Sequence, residues 1–192
     1  IFTLRTAQSA ALGTAQVRAL TTDQIVALRS AQVSTLTTQQ IAVLTTDQIA
    51  ALENDDLASL STRQIAVVNS DQLGVLSAAQ LNALTLAQLA AFGTSQLSTG
   101  LQTAQVAALD TAHIAALTTA QLAYGVTIDN LLALTTEQIQ ALSTAQLAAL
   151  TTAQASSLST DQFAALATAQ MSGLSTAQMQ WLSADQLAVL GT

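Results

Sequence analysis

Large apolar residues recur at every eighth position of this chain and again five places later in each period, with small or hydroxylated residues between them. Residues 142–149 give the unit in its plainest form: Leu142, Ser143, Thr144, Ala145, Gln146, Leu147, Ala148, Ala149. With leucine as position 1, units begin at Leu4 and at every eighth residue to Phe92. They resume at Leu101 after one extra residue, Gly100, and at Val126 after a second, Gly125. The 23 units run to the one that begins at Leu182, and position 1 is Leu except for Val68, Phe92 and Val126. Position 6 is large and apolar in 21 units, failing only at Ser9 and Ala155. Position 5 is Gln in 20 units and is replaced by Asp56, His113 and Asn130 in the others. Self-similarity at a fixed short period sets the architecture before any propensity argument does.

A period of eight excludes the simplest folds. A continuous helix advances about 100° per residue, so positions eight apart would drift by roughly 80° per unit and no single stripe could be buried. A heptad coiled coil fails for the same reason. In a strand, positions 1 and 6 would face opposite sides. The helix must therefore break and restart in each unit, and the residues say where. Ser or Thr at position 2 with Gln at position 5 is a capping box, and the apolar residues at positions 1 and 6 form the hydrophobic staple around it. Acids such as Asp23, Asp47, Asp161 and Asp185 fall in the first turn, where they complement the helix dipole. Position 3 is Thr or Ser in 18 units, which a capping box does not require. Either it serves as the cap in some units or these threonines bond between neighbouring units.

A helix of five or six residues is unstable alone, because nucleation costs more than so few bonds return. Each unit must lean on others, as in a solenoid. The expected fold is all-α: a superhelix of octapeptide repeats, each a short capped helix, with several repeats per superhelical turn. Positions 1 and 6 face inward, and the alanines at 7 and 8 allow close approach. Residues 1–192 are expected to form a single array. The terminal Leu190, Gly191 and Thr192 match the opening of a further unit, so the chain reads as a segment of a longer array.

Composition narrows the function classes. Charged residues are only 8% of the chain, so solubility must come from Thr, Ser and Gln. The net charge is −7, and the four basic residues are Arg5, Arg18, Arg29 and Arg63, all in the first third. Phosphate neutralisation needs clustered cations, which sets nucleic acid aside. Without cysteine there are no disulfides and no thiolate chemistry. No run of about 20 apolar residues offers a membrane-spanning helix.

The residues that depart from the repeat have structural readings. His113, the only histidine, stands in a glutamine position beside Asp110 and is read as a capping substitute, since a lone His cannot build a metal site. The run Glu53, Asn54, Asp55, Asp56 lacks the spacing of a calcium loop and is read as a solvated face on a degenerate unit. Tyr124 and Trp181 occupy position 8, normally alanine; either could serve as an exposed docking anchor, and filling a local gap is the commoner reason for a ring there. No catalytic, cofactor-binding or metal residue is assigned, and no enzymatic activity is expected.

Two resemblances follow from these residues. Leu20–Ala27, LTTDQIVA, resembles the opening of a transcription-activator-like effector repeat, but the likeness stops after eight residues and omits the base-reading loop. Leu142–Ala149 and Leu117–Tyr124 are similar to the octapeptide arrays, L-[ST]-T-x-Q-[ILV]-x-A, of very large bacterial exoproteins that carry adhesion or haem-utilisation names. That resemblance spans essentially the whole chain and implies a secreted or surface location. It does not bring a haem site, because the array has no repeated axial ligand. The function expected is that of a non-enzymatic stalk, spacer or self-assembling filament segment, associating end to end or laterally. The alternative is a module whose regular Thr/Gln surface binds glycan, ice or a host protein.

Overall fold

The computed structural model describes residues 5–189. Leu4, which opens the first unit, and the terminal 190–192 lie outside that range. Within it are 22 α-helices of four to seven residues and one π-helix, one for each octad, and no strand. The expected all-α repeat solenoid is what the chain forms.

Each octad folds the same way because its caps are local. Position 2 is the N-cap, in extended conformation, as at Thr37 (φ −71°, ψ 160°) ahead of the helix Thr38–Ala42. Position 3 opens the helix as its first residue and is not the cap. At the other end, the amide of the next position 1 donates back three residues to the carbonyl of position 6, as from Leu44 to Ile41 at 3.2 Å. This tightens the last turn and satisfies a carbonyl that the helix itself leaves open. The corner into the next unit uses extended backbone at positions 1 and 2, and no described residue has positive φ. The array therefore turns every eight residues without a left-handed glycine and without proline.

Burial follows the octad. Positions 1, 5 and 6 are buried, as at Leu52 (3%), Gln48 (2%) and Ile49 (0%), while positions 2, 3, 4 and 7 are mainly exposed. The core thus has two apolar columns and, between them, a column of amide side chains.

The described residues group into two compact units, the first ending at Gly100 and the second beginning at Leu101. In the first, each helix packs on the helix three octads away; Asn54–Ser59, for example, meets both Ser30–Val33 and Ala78–Ala83. In the second, Thr152–Ser157 packs on Ile128–Leu132 and Thr176–Gln180 in the same way. Position 8 of one helix can lie close over position 3 of the helix beneath, as it does at Gly173. A Cβ built on Gly173 would lie 2.8 Å from the carbonyl oxygen of Thr144.

The two extra glycines are absorbed inside helices. The helix carrying Gly100, Thr94–Gly100, is the longest, at seven residues. Gly100 is pressed so closely to the turn below that a Cβ there would lie 2.5 Å from the Ser70 carbonyl oxygen. Gly125 closes the π-helix Gln121–Gly125, in which the Val126 amide reaches back five residues to the Gln121 carbonyl at 2.9 Å. A π-turn takes in one residue more than an α-turn, so the octads on either side keep their register.

Candidate functional site

The feature repeated most faithfully through the molecule is the buried glutamine at position 5. Gln48 shows what it does. Its Oε1 accepts the amide of the N-cap Thr45 at 2.9 Å, and its own amide donates to the Thr45 hydroxyl at 3.2 Å, completing the capping box. Its Nε2 then donates down to the previous turn: to the carbonyls of Val17 at 3.0 Å, Arg18 at 3.2 Å and Leu20 at 2.7 Å. These acceptors end one helix and begin the next unit, where carbonyls lack intrahelical donors.

The second unit repeats the arrangement. Gln178 holds the Ser175 amide at 2.7 Å and donates to the carbonyls of Leu147 at 2.9 Å and Leu150 at 2.7 Å. The span is 28 residues to position 1 and 31 to position 6, so a superhelical turn holds between three and four octads. Where the path crosses Gly125 the spans become 29 and 32, as for Gln146 to Leu117 and Ile114, and the bonds are kept. One side chain therefore caps its own helix and ties two turns together. A primary amide suits this, because it offers an acceptor and two donors on one planar group without charge.

The hydroxyls have divided roles. Those at position 2 cap the helices, as Thr45 and Ser175 do. Hydroxyls at position 8 bond across turns to position 3: Thr35 to the Thr6 carbonyl at 3.2 Å, Ser59 to the Ser30 carbonyl at 3.2 Å, and Thr99 with the Ser70 hydroxyl at 2.6 Å. Position 3 is not the cap; its backbone carbonyl takes the inter-turn bond at Thr6 and Ser30, its hydroxyl does so at Ser30 and Ser70, and the partners lie three octads away and not in the neighbouring unit.

The exceptional residues are placed as follows. Asn130, one methylene shorter than Gln, keeps the bond down the stack, to the Leu101 carbonyl at 3.1 Å. Asp56 is 2% exposed and faces the stack, while Glu53, Asn54 and Asp55 face outward, so the acidic run is not a single solvated face. The Asp56 carboxylate accepts the Ser30 hydroxyl at 2.8 Å and the Glu53 amide at 3.4 Å. Among the described residues no group of three or more His, Cys, Asp or Glu is placed to hold a metal ion. His113 is buried in the glutamine column; its Nδ1 has no hydrogen-bond partner, although the residue is bonded elsewhere.

Tyr124 and Trp181 do not fill gaps. They are 72% and 68% exposed. Trp181 stands over Thr152, Ala153 and Ser156, forming one wall of a shallow groove. Periodicity had no means of revealing this, since it reports where a position points and not how much room is there. No described helix is long and apolar enough to cross a membrane.

No curated protein and no solved structure matches the chain. The ALTTAQ repeat family matches residues 2–30, 25–54, 49–86, 129–160 and 157–192. The stretch left between these matches carries both inserted glycines and His113. The matches cover well over half of the sequence, and the chain belongs to the ALTTAQ repeat family.

Proposed function

We propose that this array is a non-enzymatic structural segment of a bacterial surface or secreted fibre, serving as a stalk or spacer. The observation that carries the reading is the use made of the polar groups. The glutamines and the position 2 hydroxyls are bonded to backbone, either within their own cap or one turn away. Chemistry so committed holds an array together and adds length with each octad. The similarity to exoprotein octapeptide arrays supports the extracellular setting. The test is immunogold labelling of intact cells of the source organism with antibody raised against the purified chain. Label on the outer surface or on shed fibres is expected; label confined to the interior of permeabilised cells would contradict the reading.

A second reading, a binding module for glycan, ice or a host protein, has one observation in its favour. The Trp181 ring is exposed beside the hydroxyl-bearing Thr152 and Ser156, and an aromatic anchor of this kind is a common centre of interfaces. Most position 5 glutamines from Gln32 onward are buried, so the regular exposed surface is mainly threonines and this ring. A glycan screen in which Trp181→Ala removes a signal given by the parent chain would favour it.

A further inference from the structure

Beneath a buried glutamine lie three backbone carbonyls of the previous turn. Gln48 Nε2 is 3.0 Å from the Val17 oxygen, 3.2 Å from that of Arg18 and 2.7 Å from that of Leu20, at spans of 31, 30 and 28 residues. Gln88 meets the Leu57, Ala58 and Leu60 carbonyls at the same spans, 2.9, 3.3 and 2.7 Å away. Three oxygens thus converge on one point, and an amide nitrogen with two hydrogens occupies it.

The same spans counted back from Asp56 give Ile25, Val26 and Leu28. Asp56 is 2% exposed and Leu28 5%, so this point lies inside the stack of the first unit. Here the side chain brings oxygens only. One carboxylate oxygen accepts the Ser30 hydroxyl and the other the Glu53 amide, and among the described residues no basic side chain pairs with the group. The Ile25 carbonyl still receives the Leu28 amide at 2.9 Å, but no described group donates to the carbonyls of Val26 and Leu28. Asn130, which has the length and shape of Asp, puts its terminal nitrogen 3.1 Å from the Leu101 carbonyl. A side chain of this size therefore reaches the position 1 carbonyl, and Asp56 offers that carbonyl no hydrogen.

We infer that this octad binds a monovalent alkali cation, potassium by size, between the Asp56 carboxylate and the carbonyls of Ile25, Val26 and Leu28. Carbonyl oxygens set round a point replace the hydration shell of such an ion. One carboxylate balances its single charge, which offsets the cost of burying an unpaired anion. The spacing favours a large ion over calcium. Glutamine nitrogens sit 2.7–3.3 Å from the equivalent carbonyls, whereas calcium draws about six to eight oxygens to roughly 2.3–2.6 Å. The exposed side chains of Glu53 and Asp55 take no part.

Thermal unfolding of the full chain, followed by circular dichroism near neutral pH, tests the inference. The salts are potassium and tetramethylammonium chloride at one ionic strength; both screen charge, but tetramethylammonium is too large for the three carbonyls. The parent chain should melt roughly 2–4 °C higher in potassium. Asp56→Gln carries its own donors to the carbonyls, as glutamine does in the other octads, so it should fold and melt alike in both salts. Asp55→Asn, at the exposed neighbour, should keep the parent's difference. A parent chain that melts alike in both salts would overturn the inference and leave water as the partner of these carbonyls. An undiminished difference in Asp56→Gln would overturn it as well, by placing the ion elsewhere. Calcium that raises the midpoint where potassium does nothing would overturn the choice of a monovalent ion. The stalk reading stands or falls separately, on the surface label.

Discussion

At the scale of the residue, the octad works because its polar side chains are bonded twice or bonded locally, and its exceptions are measurable. Ala167 stands at an N-cap in the usual extended conformation (φ −69°, ψ 155°) and donates its amide to Gln170 at 2.9 Å, but it has no hydroxyl to receive the Gln170 amide. Ala167→Ser supplies one, and thermal or urea unfolding should show a gain of about 1 kcal/mol. Asp56 poses the opposite problem. As an acceptor-only carboxylate in a column of donors, it leans on the Ser30 hydroxyl for its inter-turn bond. Asp56→Gln restores the donors and removes a buried charge, and the same measurement should register stabilisation of about 1–2 kcal/mol. Loss of stability would mean that the Ser30 bond outweighs the bonds a glutamine makes there.

At the scale of the element, what distinguishes one short helix from the next is how closely its last residue approaches the turn below. Gly100→Ala places a methyl group 2.5 Å from a backbone oxygen that cannot rotate away. It should cost about 1–3 kcal/mol in chemical denaturation. At Gly13 the nearest atom to a new Cβ is a glutamine oxygen at 3.5 Å, so Gly13→Ala should be close to neutral. Helix starts also carry a pH signature. Hydrogen bonds from its own backbone amide and from the Thr135 and Thr136 hydroxyls hold the Glu137 carboxyl below its ordinary value of 4.5. A carboxyl lowered on folding stabilises the fold above its unfolded pKa and loses that contribution as pH falls through the folded value. The stability difference between the parent chain and Glu137→Gln should therefore be constant near neutral pH and shrink below about 4.5. A difference that grew on acidification would reverse the assignment.

Much of this was legible in the residues because it is local. The N-cap at position 2 and the glutamine that accepts its amide lie within four residues, and the structure has them in those roles; positions 1 and 6, expected as a staple, are both buried. The second bond of each glutamine was not legible. It reaches 28 to 31 residues back, and its acceptors are decided by how many octads close a turn, which no single octad encodes. The sequence left Tyr124 and Trp181 between an exposed anchor and a gap filler, because how much room a ring finds depends on other turns; both rings are exposed.

At the scale of the whole molecule, the glutamine column ties one turn to the next, since helices this short cannot persist alone. Nearest-neighbour coupling then dominates stability, as in other solenoids. Equilibrium urea unfolding of Gln146→Met and Gln16→Met, side by side, tests the claim most directly. Methionine keeps the length and fills the space but makes neither bond. At Gln146 the substitution strands a cap amide, removes the side-chain donor from the carbonyls of Ala115 and Leu117, and leaves the Ile114 carbonyl with the Leu117 amide alone. At exposed Gln16 it gives up the cap bond to Gly13, whose amide water can reach. Gln146→Met should lose about 2–4 kcal/mol, and Gln16→Met less than about 1 kcal/mol. Equal losses at the two sites, or a loss at Gln146 no larger than a cap is worth, would show that apolar packing alone joins the turns.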